Sequence, residues 1–106
     1  MIIVTSDSIP GKKIVKTFGL VRGNTIRARH LGRDIMAGLR TLVGGEIMEY
    51  TKLMAESREQ AIDRMKQEAE RIGANAVVGL RFTTSVIMGG SAELLSYGTA
   101  VYVEEK

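Results

Sequence analysis

The sequence predicts a two-layer α+β domain in which a mostly antiparallel sheet packs against one long helix. Three observations support this fold class. Residues 46–72 carry apolar side chains at helical spacing, Gly73 ends that helix just before a buried strand, and a turn at residues 88–91 separates this strand from another. The chain has 106 residues, 44% of them hydrophobic and 25% charged, which is ordinary for a globular protein. We therefore assign residues 1–106 to a single domain.

The first 29 residues are expected to form the first strands. Ile2, Ile3 and Val4 make a short apolar run, typical of an edge strand, before a turn at Pro10. Residues 12–29 are rich in β-branched and aromatic side chains, with interruptions at Gly19 and at Gly23-Asn24. This pattern fits either one long strand bent at a bulge or two strands joined by a tight turn. We favour the long bent strand because both halves keep apolar positions near the interruption.

A short helix is predicted at residues 34–43, where apolar side chains recur three and four residues apart. Gly44 and Gly45 end it and let the chain turn into the long helix. Together the two helices predict a helical hairpin lying across one face of the sheet.

The long helix is amphipathic, with a charged back that faces solvent. Its apolar stripe consists of Ile47, Tyr50, Met54, Ala61, Met65, Ala69 and Ile72, widened by Leu53 and Ile62. The stripe predicts a helix that is stable only when it is packed on a sheet, because burying a large apolar side chain contributes roughly 1.5–3 kcal/mol. Ser57, followed three residues later by Gln60, resembles a capping box, which would allow a kink near Glu56.

Gly73 is expected to adopt the left-handed conformation that ends helices. The following strand is predicted to alternate regularly, with Ala76, Val78, Leu80, Phe82, Thr84 and Val86 on one face and Val77, Gly79, Arg81, Thr83 and Ser85 on the other. Residues 93–103 form the partner strand. Apolar side chains occupy both of its faces, which indicates a central strand or one at a subunit interface.

Composition restricts the function classes. The chain has no cysteine, so disulfides and thiolate chemistry are excluded. It has no run of 18 apolar residues and no basic leader segment, so we expect a cytoplasmic protein without a membrane span. Residues 1–45 hold eight basic and two acidic side chains, whereas residues 46–106 hold seven and ten. A basic half of one copy can therefore meet an acidic half of another, or attract a polyanion.

Several separated motifs follow one another in the order seen in a known family. They are Arg33-Asp34, Ala37-Gly38-Leu39-Arg40, Val43-Gly44-Gly45, Tyr50, Ser57-Arg58-Glu59-Gln60-Ala61, Gly73-Ala74-Asn75-Ala76-Val77-Val78-Gly79 and Tyr97-Gly98-Thr99-Ala100-Val101. In these motifs the chain resembles the YbjQ-like family of small bacterial and archaeal proteins over nearly its whole length. The resemblance implies a dodecin-subunit-like fold, strand–helix–strand–strand, assembled as a ring-shaped homopentamer. It implies heavy-metal binding as an expectation and offers no catalytic residues.

The implied metal site has few candidate ligands. Soft and borderline metals prefer several Cys, His or Met side chains that converge on one point, and the only histidine is His30, in an arginine-rich stretch. We therefore predict His30, Asp34, Glu46 and Glu49 as the metal ligands, brought together in several copies around an oligomer axis. In the alternative interpretation His30 is a surface or interface residue and the carboxylates stabilise helix starts.

Other chemistries are less well supported. Gly44-Gly45 before a helix would offer free N–H groups to an anion, but two glutamates occupy that first turn. The basic amino-terminal half would suit nucleic acid, although Phe18 is its one aromatic residue. No catalytic set is recognisable, so we expect a non-enzyme. The predicted function is a self-assembling small-ligand or metal-binding module, and the alternative is a polyanion-associated or nucleic-acid-associated oligomer. The predicted ligand or subunit contacts are Arg29, Arg33, Gly44, Gly45 and Tyr50.

Overall fold

The computed structural model describes residues 1–27, 48–87 and 91–106. Its elements are β1 (Ile2–Ile3), β2 (Lys12–Arg27), α1 (Met48–Arg71), β3 (Ala76–Ile87) and β4 (Ser91–Glu105). The four strands form one sheet in the order β1-β3-β4-β2, in which β1 is parallel to β3 and the other neighbours are antiparallel. The predicted α+β class, the edge strand and the central position of the last strand are confirmed. The predicted short helix at 34–43 and its two-glycine turn lie outside the described residues.

Strand β2 is a single long strand, as predicted. Its register against β4 shifts between Ile14 and Lys16 and again between Thr17 and Gly19, so the bulges lie in its first half. Gly19 has a φ of 112°, a conformation open to glycine and strained for other residues. Gly23 and Asn24 are ordinary strand residues opposite Ser96 and Leu95. The glycine at 23 therefore needs another explanation, which is its contact with the helix.

Helix α1 packs on one side of the sheet and encloses the main core. That core contains Val21, Met65, Ala69, Ala74, Val77, Leu80 and Ala100, with Ile3, Phe18 and Ile72 against it. The helix runs without interruption through the predicted capping box, so Ser57 does not begin a new helix. Ser57 is buried, and its hydroxyl donates to the Leu53 carbonyl four residues earlier, at 2.8 Å, as serines inside helices commonly do.

The helix crosses the sheet directly over Gly23. A Cβ placed on this glycine would lie 2.2 Å from the Ala61 carbonyl oxygen and 2.3 Å from the Met65 nitrogen. The fully buried Ser96 lies opposite Gly23 on β4, and its hydroxyl is 2.9 Å from the Ala61 carbonyl oxygen and 3.2 Å from the Gly23 carbonyl oxygen. Small residues at this crossing thus allow backbone-to-backbone contact between helix and sheet, and a hydroxyl hydrogen-bonds across it.

The end of α1 confirms the predicted glycine stop. Gly73 has a φ of 97°. The Ala74 N–H donates to the Ala69 carbonyl at 3.0 Å, and the Gly73 N–H donates to the Glu70 carbonyl at 3.1 Å. These two bonds form a Schellman motif, which satisfies carbonyls that a helix end would otherwise leave unpaired. Ala69 and Ala74 both lie in the main core, so the motif fixes the turn from helix to β3.

Gly73→Val is therefore expected to lower the free energy of unfolding by more than the roughly 1–2 kcal/mol that a left-handed conformation costs a residue with a Cβ. Valine adds a branched side chain close to the Phe18 ring, which lies 3.8 Å from a Cβ placed at this glycine. Urea denaturation would measure the change, with Glu70→Ala as the exposed control on the preceding turn. A midpoint equal to that of the control would show that Gly73 does not determine the helix end.

The predicted regular alternation of β3 is wrong after Val78. The register against β4 shifts between Val78 and Arg81, and Gly79 has a φ of 66°. This bulge places one extra residue opposite Gly98, so Val77 and Leu80 share the helix side of the sheet although they are three positions apart. The Val77 Cγ1 atom would lie 2.7 Å from a Cβ at Gly98. A glycine on each strand therefore makes the bulge compact.

The chain before β2 covers one end of the opposite side of the sheet. Ala76, Val78, Val101 and Val103 form a second core there, and Ile2, Val4 and Ile9 pack against it. The Asn75 side chain bonds both ways with the backbone of Val103, donating to its carbonyl at 2.9 Å and accepting from its N–H at 2.8 Å. The asparagine thereby extends the β3–β4 ladder by one pair. No helix within the described residues is long and apolar enough to cross a membrane.

Candidate functional site

The residues predicted to bind metal or ligand fall where the structure gives no side-chain description. Glu49 and Tyr50 belong to the first turn of α1, but their side chains are outside the description. The other predicted residues, Arg29, His30, Arg33, Asp34, Gly44, Gly45 and Glu46, lie in the undescribed segment between β2 and α1. Their roles therefore stay predictions. Residues 1–27, 48–87 and 91–106 contain no group of three or more His, Cys, Asp or Glu side chains able to hold a metal ion.

The described residues offer a different surface, the side of the sheet facing away from α1, which we call the open face. The first part of the chain covers this face only at the end where Val101 and Val103 lie. Beyond that end the open face is formed by Leu20, Arg22, Asn24 and Ile26 of β2, Glu93, Leu95, Tyr97 and Thr99 of β4, and Arg81, Thr83 and Ser85 of β3. The face combines cationic, aromatic, hydroxyl and aliphatic groups with one carboxylate, that of Glu93.

One row across the open face stands out because it is both cationic and aromatic. Tyr97 is paired with Arg22 on β2 and with Arg81 on β3, so the three side chains leave the sheet side by side. We call this set the Arg–Tyr–Arg row. Both arginines are exposed and the tyrosine is half-buried between them. The row exists because β4 is central and carries its aromatic residue at the position where both neighbours carry arginine.

The two arginines of the row are held differently. The Arg81 guanidinium donates through Nη1 to the carbonyls of Thr5 and Leu80, both at 2.8 Å, so it is fixed while other N–H groups stay available. Arg22 lies on the edge strand, and its charge contributes to lowering the pKa of Glu68 on α1. The larger cause of that lowered pKa is the bidentate hydrogen bond from Arg71, with distances of 2.6 and 3.1 Å. The Arg22 charge at the β2 edge of the sheet thus acts on a carboxylate of α1.

The sheet also has two edges without strand partners in the described chain. Strand β2 is the last strand of the sheet, and over its 16 residues it pairs only with β4. The outer edge of β3 is paired near Ala76 and Val77 with β1, whereas residues 81–87 have β4 alone. Long free edges template further strand pairing, and natural proteins usually cover or interrupt them.

Large, exposed apolar side chains lie on the two strands that form these edges. Leu20 is 68% exposed and Ile26 57% exposed on β2, and Phe82 is 41% exposed on β3. The molecule is also long and thin, since its radius of gyration is 17.0 Å, whereas a compact chain of this length has about 13 Å. The far half of the sheet thus carries exposed apolar side chains and strand edges that no other described strand pairs with.

Sequence reasoning missed the Arg–Tyr–Arg row because it looked for aromatic partners in the basic half of the chain alone. The aromatic residue comes from β4, 75 positions after Arg22. Aligning the two predicted strands across the turn at residues 88–91 would have placed Tyr97 opposite Arg81, because the register runs without a shift from Ile87–Ser91 to Arg81–Tyr97. The placement of Arg22 required the pairing of β2 with β4.

Comparison with known proteins gives a consistent family across the whole chain. A family model described as "Putative heavy-metal-binding", of the YbjQ family, matches residues 1–104. A UPF0145 protein from Methanosarcina acetivorans is 59% identical over 103 residues, covering 97% of each chain. One from Methanococcus vannielii is 59% identical over 105 residues, covering 99% of this chain and 100% of the relative. One from Vibrio parahaemolyticus is 53% identical with the same coverage.

The fold has a counterpart among solved structures. A protein of unknown function from Pediococcus pentosaceus, assigned to the DUF74 family, matches with a TM-score of 0.65 over 98% of both chains, at 18% sequence identity. This likeness supports the fold alone. The sequence matches, which extend over the whole domain at more than half identity, show that the chain belongs to the YbjQ (UPF0145) family.

Proposed function

We propose that this chain is a self-assembling binding module rather than an enzyme, and that copies join edge to edge, with β2 of one copy beside β3 of the next. The observation that carries the proposal is that the two sides of the same sheet each have a strand edge with no partner among residues 1–27, 48–87 and 91–106. Pairing them in a second copy would satisfy exposed backbone groups on both strands.

The direction of the strands specifies the kind of assembly. Strands β2 and β3 are both antiparallel to β4, so they run in the same direction. In a cyclic assembly all copies have the same orientation about the axis, so β2 would meet β3 of its neighbour as a parallel pair. A contact between two different surfaces closes into a ring when the rotation permits. The family resemblance implies five copies.

Burial of the exposed apolar side chains supplies the driving force. Leu20 and Ile26 lie on β2 and Phe82 on β3, next to the two edges. Each contributes about 1.5–3 kcal/mol when it is fully buried. The contact would also bury part of the strand edges that are exposed in a single copy. It would include Arg22, which belongs to the basic amino-terminal half of the chain.

Disulfide cross-linking tests this arrangement sharply because the natural chain has no cysteine. Single cysteines would replace Asn24 on β2 and Thr83 or Ser85 on β3, since all three side chains are on the open face. Mild oxidation of Asn24→Cys/Thr83→Cys or Asn24→Cys/Ser85→Cys is expected to give a ladder of covalent oligomers that ends at the ring size. The two cysteine pairs cover two registers of the parallel contact.

Single-cysteine chains are the matched controls. A head-to-tail contact leaves Asn24→Cys alone without a nearby partner, so we expect monomers on a denaturing gel. Efficient dimer formation by Asn24→Cys alone would indicate a symmetric β2–β2 contact and contradict the ring. Absence of cross-links in both double variants, with the native oligomer intact, would place the subunit contact elsewhere.

Metal binding is the second candidate function, and the description of the matching family model favours it. The predicted ligands are His30, Asp34, Glu46 and Glu49. We expect elemental analysis of protein purified without chelators, then dialysed against zinc or copper, to find a stoichiometric metal that His30→Ala and Asp34→Asn remove. Glu59→Gln, an exposed change on α1, is the control. A natural chain that retains no metal after this treatment would contradict the hypothesis.

A further inference from the structure

We propose that the Arg–Tyr–Arg row of the open face binds a nucleoside phosphate, with the base against the Tyr97 ring and the phosphates on the guanidinium groups of Arg22 and Arg81. The row lies within a single copy, so the proposal does not depend on assembly. The metal hypothesis uses none of these side chains, and of the three only Arg22 lies on the strand edge of the proposed subunit contact.

The spacing of the row suits such a ligand. Adjacent strands lie about 4.8 Å apart, so the two arginines leave the sheet roughly 10 Å from each other with the tyrosine midway. Guanidinium groups bind phosphate through paired N–H donors, and an aromatic ring stacks on a base. A base on Tyr97 would therefore put its phosphates within reach of a guanidinium on either side.

The charges around the row favour an anion. The ion pairs among the described residues are Lys12–Glu105 and Arg71–Glu68, so no carboxylate of the described part of the chain lies within 4.0 Å of either arginine of the row. The nearest acidic residue on β4 is Glu93, two rows away, where its carboxylate accepts a hydrogen bond from the Asn24 amide at 3.2 Å. On α1, Glu68 is near enough to Arg22 for the arginine charge to contribute to its lowered pKa, but its carboxylate is already bound by Arg71. Asp7 lies close to Gly79, at the covered end.

Polar neighbours add groups that suit a ribose. Thr99 follows Tyr97 by two positions on β4, and Thr83 follows Arg81 by two on β3, which places both hydroxyls on the open face beside the row. A hydroxyl both donates and accepts hydrogen bonds, as sugar hydroxyls require. The Thr5 and Leu80 carbonyls hold the Arg81 guanidinium at the outer edge of β3, so this cationic group is ordered before a ligand binds and its remaining N–H groups are free to donate.

A small ligand fits better than single-stranded nucleic acid. Proteins that bind single strands stack successive bases on several aromatic side chains along a basic groove. On the open face, Tyr97 is the one aromatic side chain that the described strands supply, because Phe82 is paired with Ser96 and so faces the other side. One stacking position flanked by two cations corresponds to one nucleotide.

Isothermal titration calorimetry of the purified chain with ATP at low salt tests the proposal. We expect saturable binding that Arg81→Gln, Arg22→Gln and Tyr97→Leu each weaken at least tenfold. Arg58→Gln, which removes an exposed arginine from α1, is the charge-matched control and should bind as the natural chain does. Inorganic triphosphate should bind more weakly than ATP to the natural chain and equally to natural chain and Tyr97→Leu.

Three results would overturn the proposal. They are no ATP binding by the folded natural chain, equal ATP binding by the row variants and the Arg58→Gln control, or binding of oligo-dT that strengthens with length when ATP does not bind. The size of each variant's native assembly would be measured on the same samples. A row variant that loses ATP binding but keeps its native assembly supports the site. Cross-linking results that contradict the proposed ring would not change this conclusion, because the row lies within one copy.

Discussion

Replacing Gly23 by alanine is expected to lower the free energy of unfolding by about 3 kcal/mol, the upper part of the range for overpacked cores. The added methyl would lie 2.2 Å from the Ala61 carbonyl oxygen and 2.3 Å from the Met65 nitrogen, both backbone atoms of α1. Neither atom can move aside by a rotamer change, so the helix must shift away from β2. Chemical denaturation, with hydrogen exchange of the α1 amides, would measure the loss.

The matched control for this change is Asn24→Ala. Asn24 is the next residue on the same strand, its side chain is exposed on the open face, and its hydrogen bond to Glu93 is a surface contact. We expect its stability to change by less than about 0.5 kcal/mol. A Gly23→Ala chain as stable as this control would mean that α1 does not cross the sheet at Gly23.

Met65→Ala is expected to cost about 2–5 kcal/mol, the range for large-to-small changes in a core. Met65 is completely buried and is the largest of the fully buried side chains in the main core under α1. Its removal loses apolar burial and leaves a cavity that the small residues around it, Ala61 and Ala69, cannot fill. Thermal unfolding would measure the change.

Gln67→Ala is the control for Met65→Ala, because Gln67 is exposed two positions further along the same helix. Alanine is a strong helix former, so this change should leave stability unaltered or slightly raised. A loss below about 1 kcal/mol for Met65→Ala would show that the helix stripe is less tightly packed on the sheet than the structure indicates.

Much of the fold could be predicted because local and periodic signals agree. The helix stripe containing Met65, the glycine stop at Gly73 and the two-sided apolar pattern of β4 each follow from spacing and residue type. The bulge at Gly79 could not be derived in this way, because it depends on the close packing of Gly98 against Val77 on the neighbouring strand. Likewise, Gly23 looks like a turn residue in the sequence, whereas only the position of α1 explains it.

The candidate site was harder to predict than the fold. Sequence reasoning selected residues by their chemistry, namely His30 and nearby carboxylates for a metal. The side chains of these residues lie outside the described part of the structure, so their roles stay predictions. The Arg–Tyr–Arg row instead depends on register across three strands, which residue type alone does not supply. From the sequence, Arg22 was interpreted only as part of the basic half, and Arg81 only as a residue on one face of an alternating strand.

Native mass spectrometry of the untagged chain, sprayed from a volatile buffer at micromolar concentration, would show whether the edges of β2 and β3 close copies of this chain into a ring. We expect one dominant species with five times the 11.6 kDa chain mass, which Leu20→Glu and Ile26→Glu shift towards monomer. A natural chain that stays monomeric, or forms only dimers, would contradict the ring.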